Sequence, residues 1–341
     1  MTRAIANRQV RLKSRPVGNP TADNFDIRAG DLPPLQDGEV LRRTIYLSLD
    51  PYMRGRMSDA PSYAAPVTLG GVMCGHTVSR VVESRNPDFQ VDDFVAGYDG
   101  WQEYATSNGK DLRKLDPNAA PLSTAIGVLG MPGLTAFVGL IDIGRPKAGE
   151  TVVVSAASGA VGSVVGQLAK ARGCRAIGVA GSEDKCRYVV DELGFDTCVN
   201  YKHSDFYREL KAACPNRIDI YFENVGGAVQ AAAFRLLNRG ARIPLCGLIS
   251  EYNSTEDAPG PNLRTSLLVN RAMIQGFIVS DHTDRTPAFV QEVAPLVRAG
   301  RIKYREDIAE GLDAAPKALM GLLEGRNFGK ALVRVSPDPT R

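Results

Sequence analysis

No two cysteines of this 341-residue chain stand close enough for a Cys-x-x-Cys pair; the six are scattered at Cys74, Cys174, Cys186, Cys198, Cys214 and Cys246. That spacing argues against a disulfide framework and reads as buried or neutral thiols in a reducing compartment. Histidine is scarcer, at three residues, which leaves little to build a metal site from. No segment approaches the roughly 18 apolar residues of a membrane span. The N-terminal MTRAIANRQVRLKS is basic without an apolar core, so it is no secretory signal and the cytoplasm is expected. Charge of one sign is also lacking. With 41 basic and 38 acidic residues the net charge is +3, which gives no argument for nucleic acid or an anionic membrane. Aromatics make up only 7%, so composition shows no stacked aromatic pocket.

What is present is length and order. A chain of this size favours two domains. Up to about residue 120, short alternating apolar runs are separated by Pro, Gly and Asp. Val40–Leu49, Thr77–Glu83 and Phe94–Tyr98 read as strands, with turns at Asn86–Asp88 and Asp99–Gly100, the pattern of an irregular antiparallel β domain. From Thr151 the pattern becomes strand, helix, strand, helix. Strands are predicted at Thr151–Ser155, Ala176–Ala180, Cys198–Asn200, Ile218–Glu223 and Arg242–Cys246. Helices are predicted at Ala160–Arg172, Glu183–Leu193 and Ser204–Ala213, the last with Ser204 as N-cap. Repeated βα units imply a parallel sheet covered by helices. Lys330–Val335 reads as one more strand, and the polar stretch Ser250–Pro261 as a mobile loop.

The strand Thr151–Ser155 runs into Ala156-Ala157-Ser158-Gly159-Ala160-Val161-Gly162 and then directly into a helix. Glycine at such a turn lets the backbone approach a pyrophosphate, and the helix N-terminus supplies free N–H donors and a favourable dipole. The first glycine of GxGxxG is missing, but the strand-turn-helix context carries the reading: Gly159, Ala160, Val161 and Gly162 are candidate cofactor contacts. Gly162, Gly166 and Ala169 fall on one helix face that can pack tightly on the sheet. An NAD site places an acid at the tip of the second strand. Here that strand ends Val179-Ala180-Gly181-Ser182, and Lys185 follows. A small hydroxyl residue plus a cation suits a 2′-phosphate, hence NADPH, although a lone lysine is more often simply solvated. Tyr207-x-x-x-Lys211 matches the letters of the short-chain dehydrogenase pair, but lies too near the glycine turn and reads as chance.

The blocks Ser48-Leu-Asp-Pro-Tyr-Met-Arg54, Met131-Pro-Gly-Leu-Thr-Ala-Phe137, Ala156–Gly162, Gly194-Phe-Asp196 with Asn200-Tyr-Lys202, Tyr221-Phe-Glu-Asn-Val-Gly-Gly227, Cys246-Gly-Leu-Ile-Ser-Glu-Tyr252, Gln275-Gly-Phe-Ile-Val279 and Asn327-Phe-Gly-Lys330 cover nearly the whole chain in order. Together they resemble the alkenal/one oxidoreductases, the zinc-independent medium-chain dehydrogenases/reductases that include prostaglandin and leukotriene reductases, plant double-bond reductases and bacterial curcumin reductases. Gly75-His76-Thr77 faintly resembles the Gly-His-Glu of the zinc enzymes, with the acid replaced. The expected upstream cysteine region reads Ser48–Pro51 instead, and His76 is expected to be a packing residue with its hydrogen bonds satisfied. Cys74 and His76 depart from the small residues usual there.

The resemblance implies a GroES-like β catalytic domain over residues 1–125 with 310–341, an NADPH-binding Rossmann domain over 126–309, and a homodimer. It implies 2′-phosphate contacts from Ser182, Lys185 and Tyr201. Asn224 and the segment of Cys246, Gly247, Ile249 and Tyr252 would line the ribose and nicotinamide side. Phe277 and Val279 would contact the carboxamide through backbone groups, and Asn327 would reach the cofactor from the C-terminal segment. The implied reaction is NADPH-dependent reduction of a C=C bond conjugated to a carbonyl, with hydride going to the β-carbon and a proton to the α-carbon. An enolate donor is then needed. Tyr252 is the first choice and Tyr63 the second, with Tyr52 and Tyr63 shaping the substrate pocket. Each tyrosine also has a plain reading as a wall residue bonded to backbone. Rival functions are a quinone oxidoreductase, a hydroxy-fatty-acid dehydrogenase, and a non-catalytic NADPH-binding sensor.

Overall fold

The computed structural model describes residues 6–255 and 263–341. The chain divides into two compact units, Met1–Gly127 with Glu306–Arg341, and Val128–Arg305.

In the first unit, β1 (Ala6–Leu12) pairs antiparallel with β2 (Phe25–Asp31). Alternation holds over the second half of β1, where Val10 and Leu12 are fully buried. The main sheet is built on β3 (Val40–Ser48), whose residues enter three buried clusters: Val40 in one, Ile45 and Tyr46 in another, Leu47 in a third. A short helix, α1 (Tyr52–Arg56), follows it. Next come β4 (Thr77–Ser84), β5 (Phe94–Gly97), β6 (Tyr104–Ser107) and β7 (Arg113–Leu115). Buried Arg42 on β3 pairs with Asp99, which also accepts from Thr77 Oγ1 at 3.0 Å. This pair pins the turn just after Tyr98.

The second unit opens with α2 (Met131–Phe137). A parallel sheet of six strands follows: β8 (Thr151–Ser155), β9 (Arg175–Ala180), β10 (Thr197–Asn200), β11 (Ile218–Phe222), β12 (Leu237–Leu245) and β13 (Met273–Gly276). Their order is β10-β9-β8-β11-β12-β13. Helices α3 (Gly162–Ala171), α4 (Glu183–Asp191), α5 (Phe206–Ala213), α6 (Gly227–Phe234), α7 (Leu263–Asn270) and α8 (Thr286–Arg298) complete it. β8 is buried throughout, as a near-continuous β-branched run should be in a parallel sheet. The order reverses between β8 and β11, the switch point at which Rossmann-type sheets hold ligands. The small face of α3 is used fully: a Cβ on Gly166 would lie 1.8 Å from the Phe195 ring. The helix expected from Ser204 begins later, with Asp205 as N-cap and no side-chain cap bond. The chain first closes a turn in which His203 N donates to Asn200 O at 3.2 Å, and that moves the helix start onward.

The chain then returns to the first sheet through β14 (Glu306–Glu310), α9 (Ala315–Leu323) and β15 (Lys330–Arg334). β15 pairs with β3, bringing Leu332 opposite Ser48. No helix among the described residues is long and apolar enough to cross a membrane. The proposed loop Ser250–Pro261 lies outside the described residues from 256 onward.

Candidate functional site

At the switch point, Ala156 leaves β8 with φ +52°, a left-handed conformation that most L-residues avoid. The missing first glycine of the motif therefore has a structural counterpart: alanine bears the strain. The turn then packs backbone on backbone. A Cβ on Gly162 would lie 2.4 Å from Ala156 O, so only glycine fits. Among the described residues nothing accepts from the N–H groups of Ala160, Val161 or Gly162. Unfilled N–H groups at the start of α3, behind a tight glycine turn, fit a pyrophosphate.

The next loop assembles a second subsite. Ser182 caps α4, accepting from Lys185 N at 3.3 Å. The Tyr201 ring lies over Gly181, where a Cβ would come within 3.0 Å of it. Tyr201 itself is tied by its N–H to Ala180 O at 3.0 Å. Ser182, Lys185 and Tyr201 thus gather at one end of β9. Sequence reasoning passed over Glu183, an acid at this spot. Its carboxylate is held by Asn200 Nδ2 at 2.8 Å and His203 Nε2 at 3.0 Å. The His203 pKa is raised, chiefly by its hydrogen bond to Glu209.

Across the switch point, Asn224 is fixed by β8: its N donates to Ser155 Oγ and its Nδ2 to Ser155 O, both at 2.8 Å. Glu223, missed in the sequence, anchors the same loop from full burial. Its Oε1 accepts from Val225 N at 2.7 Å, Gly226 N at 3.0 Å and Ser155 Oγ at 3.1 Å. The segment after β12 is stitched alongside. Cys246 N and Gly247 N donate to Glu223 O, and Ile249 N to Asn224 O. Burial pushes the Cys246 thiol up to about 12, so it stays neutral. The Tyr252 hydroxyl folds back over this segment, accepting from Leu248 N at 3.3 Å. That bond to backbone matches part of the plain reading of Tyr252. The Phe277 ring is buried edge-on to Phe222, and the partly buried Val279 packs on the same core.

The first unit carries a separate polar-aromatic cluster. Asn327 lies in this unit, with Nδ2 donating to Gly329 O at 2.8 Å. Tyr52, opening α1, has its hydroxyl 3.4 Å from that of Tyr98. His76 meets the Tyr98 ring edge-on at 4.8 Å between centroids. Burial pushes the Tyr52 phenol far up and that of Tyr98 to about 12, so both remain neutral donors. Burial likewise raises the Cys74 thiol, against a hydrogen bond with Tyr98 that lowers it. Tyr63, by contrast, is 57% exposed. The expectation for His76 needs correction: Nδ1 is buried with no hydrogen-bond partner, its ring being packed edge-on against that of Tyr98. Burial lowers its pKa and favours the neutral ring. Beneath lies a buried ion pair that sequence spacing could not show. Lys330 Nζ donates to Asp50 Oδ1 at 2.9 Å and to Leu49 O at 2.6 Å, and Ser48 Oγ donates to the other oxygen of Asp50.

Residues 8–115 match a family model described as the N-terminal domain of oxidoreductase, and residues 160–295 one described as zinc-binding dehydrogenase. Despite that second description, no three His, Cys, Asp or Glu side chains among the described residues are grouped to hold a metal. The chain is 53% identical to the NADPH-dependent curcumin reductase of Escherichia coli (strain K12), over 97% of this chain and 98% of that one. The chain belongs to the alkenal/one oxidoreductase family of medium-chain reductases. The tobacco (Nicotiana tabacum) NADP(+)-dependent 2-alkenal reductase is 42% identical over 99% of this chain and 100% of that one. The structure of CurA in complex with NADPH from Vibrio vulnificus superposes with a TM-score of 0.94 at 52% identity, covering 97% and 100% of the two chains.

Proposed function

We propose that this chain is an NADPH-dependent reductase of the C=C bond of α,β-unsaturated ketones and aldehydes. The observation that carries the cofactor half is the gathering of Ser182, Lys185 and Tyr201 at the end of β9, with the two acids of that turn engaged elsewhere, Glu183 by Asn200 and His203 and Asp184 by Arg187. Such a pocket suits a 2′-phosphate better than a ribose hydroxyl. The Gly159–Gly162 turn would hold the pyrophosphate, Asn224 and the Cys246–Tyr252 segment the ribose and nicotinamide, and the backbone of Phe277 and Val279 the carboxamide. Asn327 would reach the cofactor from the C-terminal segment. The reaction half rests on full-length similarity to curcumin and 2-alkenal reductases.

Bound NADPH supplies the hydride that the β-carbon receives. The chain's task is then to stabilise the negative charge arriving on the carbonyl oxygen and to deliver a proton to the α-carbon. Tyr252, whose oxygen accepts a backbone N–H, is assigned as enolate donor, and a preorganised donor of this kind contributes about 3–4 kcal/mol. Tyr52 and Tyr63 are assigned to the substrate side, with Tyr63 as the alternative donor. Six free thiols support a cytoplasmic setting. The outer edge of β13, which pairs with no strand among the described residues, and the exposed Leu268 and Val269 on α7 support a homodimer.

The test follows NADPH absorbance with a panel of an enal, an enone, a quinone and a simple ketone. It is repeated with NADH and with a chelator, and products are identified by mass. Saturated carbonyl products, NADPH preference and chelator resistance are expected. Turnover of the quinone alone would move the assignment to a quinone reductase. Tyr252→Phe should lower kcat/KM for the enone by about 100-fold or more. Full activity in that variant removes Tyr252 from the mechanism.

A further inference from the structure

Glu183 is the first residue of α4, one step past the Ser182 cap. It therefore stands beside the tip of β9, where an acid would accept from a ribose 2′-hydroxyl and repel a 2′-phosphate. Its carboxylate is instead held by two side chains from the end of β10 and the turn after it. Asn200 Nδ2 donates to Oε1 at 2.8 Å, and His203 Nε2 lies 3.0 Å from the same oxygen. That turn also carries Tyr201 and Lys202, and Asn200 Oδ1 accepts from Lys202 N at 3.1 Å. On its other side the His203 ring meets Glu209 of α5, with Nδ1 3.0 Å from Oε1 and 3.1 Å from Oε2. A ring nitrogen that faces a carboxylate can only donate, and two such nitrogens make the ring an imidazolium. A neutral ring has one proton for two carboxylates and must release one of them. Glu209 most, and Glu183 after it, hold the His203 pKa above its ordinary value. The groups that meet this charge are Glu183 and Cys186 from α4 and Glu209 from α5. Asp184 and Asp205 are paired with Arg187 and Arg208.

We propose that His203 is a positioning residue for cofactor choice: bridging Glu183 and Glu209 as an imidazolium, it ties down and neutralises the Glu183 carboxylate, so that the end of β9 takes a 2′-phosphate over a 2′-hydroxyl. The proposal rests on the NADPH reading and adds to it a dependence on pH. As pH rises and the ring loses its proton, Glu183 regains an uncompensated charge beside the phosphate and becomes an acceptor for a ribose hydroxyl. Preference for NADPH over NADH then falls. His203 and Glu183 are 43% and 59% exposed, so water screens the pair and the effect is severalfold, not 100-fold.

The experiment measures Kd for NADPH and for NADH by fluorescence titration, with no substrate present, from about pH 7 to 9. That range lies above the second ionisation of the 2′-phosphate itself, near about pH 6. Wild type, His203→Gln, His203→Lys and the double variant His203→Gln with Glu183→Gln are compared. In wild type the ratio of the NADH Kd to the NADPH Kd should fall about fivefold across the range, the scale of one screened ion pair. His203→Gln should show the lowered ratio at both ends. His203→Lys should keep the high ratio at both ends, because an ammonium stays charged throughout. Removing the Glu183 charge in the double variant should restore the ratio and flatten its pH dependence. A wild-type ratio that does not change with pH overturns the proposal. So does an equal loss of both dinucleotides in His203→Gln, since His203 would then only hold the turn that carries Tyr201. A double variant no better than His203→Gln also overturns it, because Glu183 would not be the group restrained. If wild type binds neither dinucleotide, the cofactor reading itself has failed.

Discussion

The end of the parallel sheet and the tyrosine cluster of the first unit are built by opposite means. At the sheet, the chemistry lies in backbone. N–H groups of Ala160, Val161 and Gly162, a glycine that admits no Cβ, and the capped turn at Ser182–Lys185 make the subsites at the ends of β8 and β9, each a short run of sequence. In the first unit it lies in side chains drawn from Asp50, Tyr52, Cys74, His76, Tyr98 and Lys330. The first kind of site tolerates many residue types provided the turn is kept. The second depends on particular side chains meeting across the fold, and a single replacement leaves a buried partner unsatisfied.

The sharpest way to break this contrast is at Lys330. Its side chain and that of Asp50 are 5% and 6% exposed. Lys330→Met strands a buried carboxylate, which should cost about 3–5 kcal/mol, whereas Lys330→Met with Asp50→Leu should recover most of that loss. Urea unfolding of the three proteins decides it. A single variant that loses under about 1 kcal/mol would mean that water screens the pair, and the cluster would not be anchored as described.

Gly162→Ala probes the other side. The added methyl would meet Ala156 O at 2.4 Å and Ala157 Cα at 3.0 Å, both backbone and unable to rotate away. Relief requires moving the turn, at about 1–3 kcal/mol, and NADPH affinity should fall about 10–100-fold. Titration of NADPH fluorescence, with a melting curve as control, reads it. Unchanged affinity would show that the cofactor does not use this turn.

The same contrast explains what the sequence disclosed. Strand alternation, the helix after Gly162 and the Ser182–Lys185 spacing are local, so they could be read from neighbours. Pairing of Lys330 with Asp50 spans most of the chain and leaves no periodic trace; both letters stood inside quoted blocks without visible purpose. The low aromatic content hid a cluster because packing, not abundance, brings Tyr52 and Tyr98 together. His76 was read as satisfied because an isolated histidine usually is, and only its surroundings show Nδ1 without a partner.

Glu223 sharpens the contrast by being its exception, a buried side chain within the backbone-built site. Its Oε1 ties down the Asn224 loop, while the buried Tyr221 hydroxyl stands near enough to the carboxyl to favour its charged form by a hydrogen bond. Burial raises the carboxyl pKa above the ordinary 4.5, against the hydrogen bonds that lower it. The folded state then holds this proton more tightly than the unfolded chain does. Its contribution to stability is full below the unfolded value and is lost as pH rises through the raised one. Glu223→Gln keeps the Oε1-type acceptor, supplies a permanent donor where Oε2 stood, and removes the titration. It should leave NADPH affinity within about twofold and make the fold about 1 kcal/mol more stable at neutral pH, with no gain at the acid end. Melting temperatures of the two proteins between about pH 4 and 8 test this. Curves that run parallel would place a carboxylate, not a neutral acid, under the Asn224 loop, and the exception would then rest on a buried charge held by Val225, Gly226 and Ser155.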